Sequence, residues 1–316
     1  MLNLANGMYL VVFIIELILG FCCNSFTGLL NCINWVKSKR MSLSDFIITS
    51  LALSRICILW VLIFDILVLI YPNFYEEMVV NQIIDIVWLF TNHLSICLTT
   101  CLSVYYCLKI ANFSHCAFLW LKWRISCVVI RILLGSVLFS FFSLASPIKE
   151  FIAYFSIRQM KLITNSTENI TKKSSYSLRL IFSASWMVIP LVVILCSSLL
   201  LILSLRRHTE QMKNSIFDSR DPHTEAHLRA TRIILSFLFL FIVYFVAFFI
   251  LMLSDLLPDL NLAWVIGDII TAFCPSVHSL ILILGNNKLK LAFLRTFHLK
   301  PLKTDTDSSI VQYQDH

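Results

Sequence analysis

The sequence predicts an all-α protein, a bundle of seven transmembrane helices followed by a short amphipathic C-terminal helix. Of its 316 residues, 59% are apolar and only 14% are charged, and the mean hydropathy is +0.84. Soluble domains carry about 25% charged residues, so this composition is typical of a chain that is solvated by lipid. Seven separate apolar stretches and an alternation of basic loops along the chain lead to the same prediction.

Each of the seven stretches reaches the roughly 20 residues that a helix needs to cross the hydrocarbon core of a bilayer. Pro190 and Pro275 fall inside the fifth and seventh stretches, where transmembrane helices tolerate proline because neighbouring helices re-satisfy the freed carbonyl groups. We therefore predict a transmembrane domain over 1–284. Its spans are expected at 8–35, 46–71, 83–108, 127–146, 180–205, 230–257 and 262–284.

The basic residues predict the orientation of the bundle in the membrane. Lys and Arg cluster after spans one, three and five and in the tail, whereas the loops after spans two and six are acidic. The positive-inside rule then places the N-terminus outside the cell and the C-terminus in the cytoplasm. The outer loop at 147–179 is an exception with six basic residues, but it also holds glycosylation sequons at Asn165 and Asn169. We expect a glycoprotein of the cell membrane with several passes.

The tail at 285–316 begins with an amphipathic pattern. Leu289, Phe293 and Phe297 recur at every fourth position, with basic residues between them. This pattern predicts a helix over about 286–300 that lies on the anionic inner leaflet. The eleven cysteines of the chain avoid the predicted outer loops and do not combine with histidine at zinc-ligand spacing. We therefore expect neither disulfide bonds nor a metal or other cofactor.

Several motifs along the chain together resemble one family of receptors. The Asp-Arg-Tyr and Asn-Pro-x-x-Tyr signatures of rhodopsin-like receptors are absent from the sequence. Instead the chain contains Leu-Ala-Leu-Ser-Arg at 51–55, Trp88 with Asn92 and His93, Asp-Pro at 221–222, Thr-Glu-Ala-His at 224–227 and Pro-Ser-Val-His-Ser at 275–279. With these motifs the chain resembles, over essentially its whole length, the type 2 (bitter) taste receptors, a family of G-protein-coupled receptors. One departure is Cys97, where the family often has Trp, and we interpret it as a change in packing.

The resemblance implies an outer cavity for small bitter agonists among spans two, three, six and seven. Trp88 and Asn92 are four residues apart and share one helix face, so a stacking ring lies above an amide. Such a pair suits a partly apolar ligand, although an interfacial Trp beside a helix-packing Asn explains it equally well. By the same resemblance, the cavity also includes Asp65, Tyr244, Asp268 and Thr271. Each Asp is equally well explained as a hydrated carboxylate near a helix end.

Arg55 is predicted to be the hub of a switch network inside the bundle. A charge near the centre of a bilayer costs several kcal/mol, so its side chain either bonds within the bundle or snorkels to the interface. The resemblance implies Asn24 and the backbone carbonyls of span seven as partners of Arg55. We place His278 in the same network, as a packing histidine with satisfied hydrogen bonds rather than a metal ligand.

The resemblance also implies that the inner ends of the helices activate a gustducin-like heterotrimeric G protein. Lys109 and Lys290 are equally explained as charges that only fix the topology. The residues predicted to face the G protein are Tyr106, Lys109, His208, Arg229 and Lys290.

A small-solute membrane transporter or a ligand-gated channel is the alternative function. An odd number of spans, only six glycines and no visible similarity between the two halves argue against it. The sequence also lacks the motifs of intramembrane or serine hydrolases, so we do not expect an enzyme. The expected partners are bitter agonists, a G protein and membrane lipid, and nucleic acid is not among them.

Overall fold

In a computed structural model, the described residues are 4–70, 78–145, 148–149, 151–153, 156, 173–215, 222–253 and 260–296. Within these ranges the regular secondary structure is helical. The helices with described bounds are α1 (Leu4–Ser38), α2 (Leu43–Ile70), α3 (Met78–Ile110), α4 (Cys116–Trp123), α5 (Ile125–Ser143), α6 (Lys173–Ser215), α7 (Pro222–Leu253), α8 (Leu260–Gly285) and α9 (Asn287–Thr296).

Six of these helices, α1, α2, α3, α5, α6 and α7, are long and apolar enough to cross a membrane. The seventh is α8, whose 26 residues extend about 39 Å and so exceed the roughly 30 Å of a hydrocarbon core. The seven predicted spans fall on these seven helices. The prediction of an all-α bundle that passes the membrane several times is therefore confirmed. The ends at 71, 146 and 254–257 lie outside the described residues.

The helices differ in how much of their surface the bundle covers. Of the apolar window of α2, 61% is buried, whereas the value is 22% for both α5 and α7. α2 packs against α1, α3 and α8, and α3 packs against α2, α5 and α6. Large apolar side chains such as Trp60, Leu138 and Phe239 are exposed on the outside of the bundle. A bilayer would cover these side chains, which is the arrangement that a membrane protein requires.

Two short helices lie at the end of the bundle where α1 finishes. α9 turns by 101° from the last part of α8, and Phe293 packs edge-on against Phe26 of α1 with ring centroids 5.3 Å apart. Residues 297–300 of the predicted surface helix lie outside the described residues. The helix α4, which was not predicted from the sequence, has eight residues, and its N-cap His115 accepts a hydrogen bond from the backbone N–H of Ala117. A segment this short carries too few residues for a clear periodic signal.

Candidate functional site

Two pairs of side chains join α3 to α7. The Tyr244 hydroxyl donates a hydrogen bond of 2.6 Å to Oδ1 of Asn92, and both side chains are buried. One turn away on each helix, Trp88 stacks on Phe248 with ring centroids 6.3 Å apart and an interplanar angle of 10°. Trp88 precedes Asn92 by four residues and Phe248 follows Tyr244 by four residues, so the two pairs lie at matching positions on antiparallel helices. We call these four residues the α3–α7 contact.

A second group of polar side chains joins α1, α2 and α8. Nη1 of Arg55 donates to Oγ of Ser279 over 2.7 Å, and the Ser279 hydroxyl lies 2.8 Å from Oδ1 of Asn24, which can accept its proton. The Asn24 amide in turn donates to the carbonyl of Gly20 over 2.8 Å. These side chains are buried, and Arg55 is 4% exposed. We call Arg55, Ser279 and Asn24 the α1–α2–α8 network.

Gly20 allows α1 to approach α8 closely at this network. A Cβ atom at Gly20 would lie 2.6 Å from Oγ of Ser276 and 3.0 Å from the side chain of Leu59. Both distances are too short for ordinary packing. The absence of a side chain at Gly20 is therefore what permits this close approach of the helices.

A cavity lies between the α3–α7 contact and the α1–α2–α8 network. Arg55, Asn92, Tyr244 and His278 are among its lining residues. Its free volume is about 40 Å³, which is room for water-sized species and far below the roughly 300–1,000 Å³ of a pocket for a drug-sized ligand. Trp88 stacks on Phe248 above it rather than lining it. In this structure Asn92 therefore bonds Tyr244 and Trp88 packs on Phe248, and no ligand-sized space is left at this cavity.

His278 departs in one respect from the sequence-based expectation. Its ring packs against Phe237, with centroids 4.1 Å apart, and the side chain is 5% exposed. However, neither ring nitrogen has a hydrogen-bond partner within the described part of the chain. The prediction of a satisfied packing histidine was therefore wrong about its hydrogen bonds. Among the described residues no group of three or more potential metal ligands is found.

The remaining predicted cavity residues lie on α2 and α8. Thr271 is a partly buried residue of α8, one turn before Pro275. Asp65 and Asp268 lie in α2 and α8, but their side chains are outside the described part of the structure. The structure thus places their helices and does not test their contact with a ligand.

Of the residues predicted to face a G protein, three have described side chains. Lys109 donates from Nζ to the Tyr105 hydroxyl over 3.1 Å and lies 5.3 Å from the centroid of that ring. Tyr106 is partly buried and packs against two apolar clusters of the core. Lys290 is partly buried in α9. The side chains of His208 and Arg229, and the whole of Asn165 and Asn169, lie outside the described residues.

Cys97 faces α5, which explains why a small residue is compatible with this position. It is 6% exposed and its thiol lies beside the hydroxyl groups of Ser136 and Ser140. It also lines a crevice of about 270 Å³ between α3, α5 and α6, together with Gly135 and Pro190. The crevice has almost wholly apolar walls. A larger side chain at position 97 has space to occupy there.

Sequence reasoning missed Phe248 and Ser279, which complete the two groups. Phe248 follows Tyr244 by four residues, so the face-sharing argument used for Trp88 and Asn92 would have found it. Ser279 carries no comparable signal, because its partners Arg55 and Asn24 come from helices more than 200 residues away in the sequence.

Comparison with known proteins gives one consistent result. The family profile described as Taste receptor protein (TAS2R) matches residues 1–300. A human protein named taste receptor type 2 member 3 is 50% identical over 308 residues, which cover 95% of this chain and 98% of the human protein. Proteins of the same name from Papio hamadryas and Mus musculus are 48% and 46% identical, again over 95% of this chain and 98% of each relative.

Proposed function

Since this chain belongs to the type 2 taste receptor family, and so is a bitter taste receptor of the G-protein-coupled class, we propose that its agonists act at the α3–α7 contact. The observation that carries the proposal is the pairing of Trp88 with Phe248 and of Asn92 with Tyr244. An aromatic face and an amide on one side of α3 offer the two contacts that a partly apolar, hydrogen-bonding agonist uses.

The proposed mechanism is a competition between the agonist and α7. An agonist ring takes the place of Phe248 on Trp88, and a polar group of the agonist takes the place of the Tyr244 hydroxyl on Asn92. The agonist thereby favours an arrangement in which α3 and α7 are apart, and it shifts the population toward that arrangement. Opening is necessary because the space now present is only about 40 Å³. Asp65, Asp268 and Thr271 complete the opened cavity, where the two carboxylates pair with cationic agonists.

At the opposite end, separation of α7 from α3 makes room for a gustducin-like G protein. We propose that Tyr106, Lys109, His208, Arg229 and Lys290 face this partner on the cytoplasmic side. The N-terminus is extracellular in this arrangement, and α9 lies on the inner leaflet, where its basic residues meet anionic lipid. The outer loop carries glycans at Asn165 and Asn169. The chain itself carries out no bond chemistry.

The proposal is tested with receptor expressed beside a promiscuous G protein, by recording calcium against a panel of bitter compounds. Trp88→Ala and Asn92→Ala should raise the half-maximal agonist concentration at least tenfold, about 1.4 kcal/mol, at unchanged surface expression. The matched control is Trp60→Ala, because Trp60 is an exposed tryptophan of α2 that contacts Phe21 on the outside of the bundle. Equal responses from all three variants and the unchanged receptor would place the agonist site elsewhere.

The transporter or channel alternative is addressed in the same cells without any G protein. The receptor proposal expects no agonist-gated current and no agonist-driven solute flux under those conditions. A current that depends on the agonist and not on the G protein would favour the transporter or channel function over the receptor function.

A further inference from the structure

The cavity between the two groups is lined by side-chain nitrogens that have no hydrogen-bond partner among the described residues. Nε of Arg55, Nδ2 of Asn92 and both ring nitrogens of His278 are buried and unpartnered. The three side chains are 4%, 4% and 5% exposed, and all three line the cavity. Oδ1 of Asn92 accepts the Tyr244 proton, so the free part of this amide is its N–H donors. A neutral imidazole carries one N–H, so His278 adds one donor, and buried donors of this kind require a partner.

The buried positive charge of Arg55 also requires a counter-charge at the cavity. A guanidinium group stays protonated in proteins, and buried charges are normally paired. Within the described residues Arg55 forms no ion pair, and its partner Ser279 is neutral. The buried carboxylate Glu16 lies on α1 eight residues before Asn24, about 12 Å along the helix axis, and does not line the cavity. No described acidic side chain lines the cavity, so none supplies a counter-charge to Arg55 there.

We propose that this cavity binds a small inorganic anion, chloride in the physiological setting, held by Arg55, Asn92 and His278. A free volume of about 40 Å³ has room for about three water-sized species, so it admits a monatomic ion and excludes an anion as large as gluconate. Water would satisfy the donors but leave the guanidinium charge without a partner. An anion accepts the hydrogen bonds and also pairs with the charge.

The proposed ion connects the α3–α7 contact to the α1–α2–α8 network, because Asn92 belongs to the first and Arg55 to the second. It therefore stabilises the closed arrangement. An agonist that engages Asn92 weakens the binding of the ion, and by reciprocity the ion weakens the binding of the agonist. Binding of the anion itself does not depend on where agonists act, so it is tested without an agonist.

The test is thermal unfolding of the purified full-length receptor at constant ionic strength, with the sodium salts of chloride, bromide, gluconate and sulfate. We expect a saturable rise of several degrees in Tm with chloride, a similar rise with bromide, and none with gluconate or sulfate. A general salt effect has the opposite order, because sulfate is excluded from protein surfaces and strengthens burial. Equal Tm in all four salts, or the highest Tm in sulfate, would overturn the proposal and leave water as the occupant.

Variants make the test specific to this cavity. Asn92→Asp places a fixed carboxylate among the donors, so its Tm should no longer depend on chloride. The matched control is Asn31→Asp, which changes another buried Asn, one that bonds Thr49 away from the cavity and should keep the chloride dependence. His278→Phe removes the ring nitrogens while keeping an aromatic ring at this position, and it should raise the half-effective chloride concentration about tenfold. Chloride dependence that is the same in all three variants would contradict the site even where chloride stabilises the protein.

Discussion

The α1–α2–α8 network and the α3–α7 contact hold the bundle together in different ways. In the network, polar groups follow one another from Arg55 through Ser279 to Asn24, and Gly20 lets the backbones approach closely. In the contact, one hydrogen bond and one aromatic stack join two helices, and α7 has only 22% of its apolar window buried against 61% for α2. From this difference we infer that the network, predicted from the sequence to be a switch, is instead a fixed frame, and that the contact is the part that can open.

The largest expected effect is that of Arg55→Ala, which breaks the frame. It removes a hydrogen bond from a charged donor and one link between α2 and α8, and we expect a loss of about 2–3 kcal/mol of stability and little receptor at the cell surface. Thermal unfolding and surface labelling measure both effects. Arg40→Ala, in the exposed segment after α1, is the control and should cost less than about 0.5 kcal/mol. If the two substitutions were equally mild, the network would not be a frame.

An intermediate effect is expected from Tyr244→Phe, which weakens the contact. Loss of the bond to Asn92 should cost about 1–2 kcal/mol and raise agonist-independent signalling, because the closed arrangement loses a stabilising bond. Tyr105→Phe is the matched control. The Tyr105 hydroxyl accepts a hydrogen bond from Lys109 of the same helix, α3, so its loss breaks no bond between helices. Calcium recordings without agonist, normalised to surface receptor, give the comparison. Unchanged basal signalling in Tyr244→Phe would show that this contact does not hold the receptor closed.

The smallest effect is expected at the crevice, which lies outside both regions. Cys97→Trp fills empty space between α3, α5 and α6 and should stabilise the receptor by up to about 1 kcal/mol, with an unchanged agonist response. Cys101→Trp, one turn further along α3, is the matched control. Cys101 is fully buried in the core, so overpacking there should cost about 1–3 kcal/mol. Thermal unfolding of the two variants should therefore move in opposite directions, and a loss of stability in both would mean that the crevice cannot take the ring.

The sequence predicted the helices well because the thickness of the bilayer fixes the length of an apolar stretch, whatever its neighbours are. It also placed Trp88 and Asn92 on one face, since that depends only on helix periodicity. Helix periodicity would likewise have placed Phe248 on the same face as Tyr244. It did not reveal that Phe248 stacks on Trp88 or that Ser279 bonds Arg55, because the register between two helices is set by packing and not by either helix alone. The unsatisfied nitrogens of His278 were missed for the same reason.

The most direct test of the α3–α7 contact as the site of agonist action is a double-mutant cycle on agonist potency. Asn92→Ala, Tyr244→Phe and the double variant are compared with the unchanged receptor at matched surface expression. Because the Tyr244 hydroxyl competes with the agonist for Asn92, we expect Tyr244→Phe alone to raise agonist potency, and we expect it to change nothing further in Asn92→Ala, where their bond is already absent. The coupling energy should be at least about 0.5 kcal/mol. Strictly additive changes in potency would show that Asn92 and Tyr244 act independently, and would contradict an agonist that works by replacing their bond.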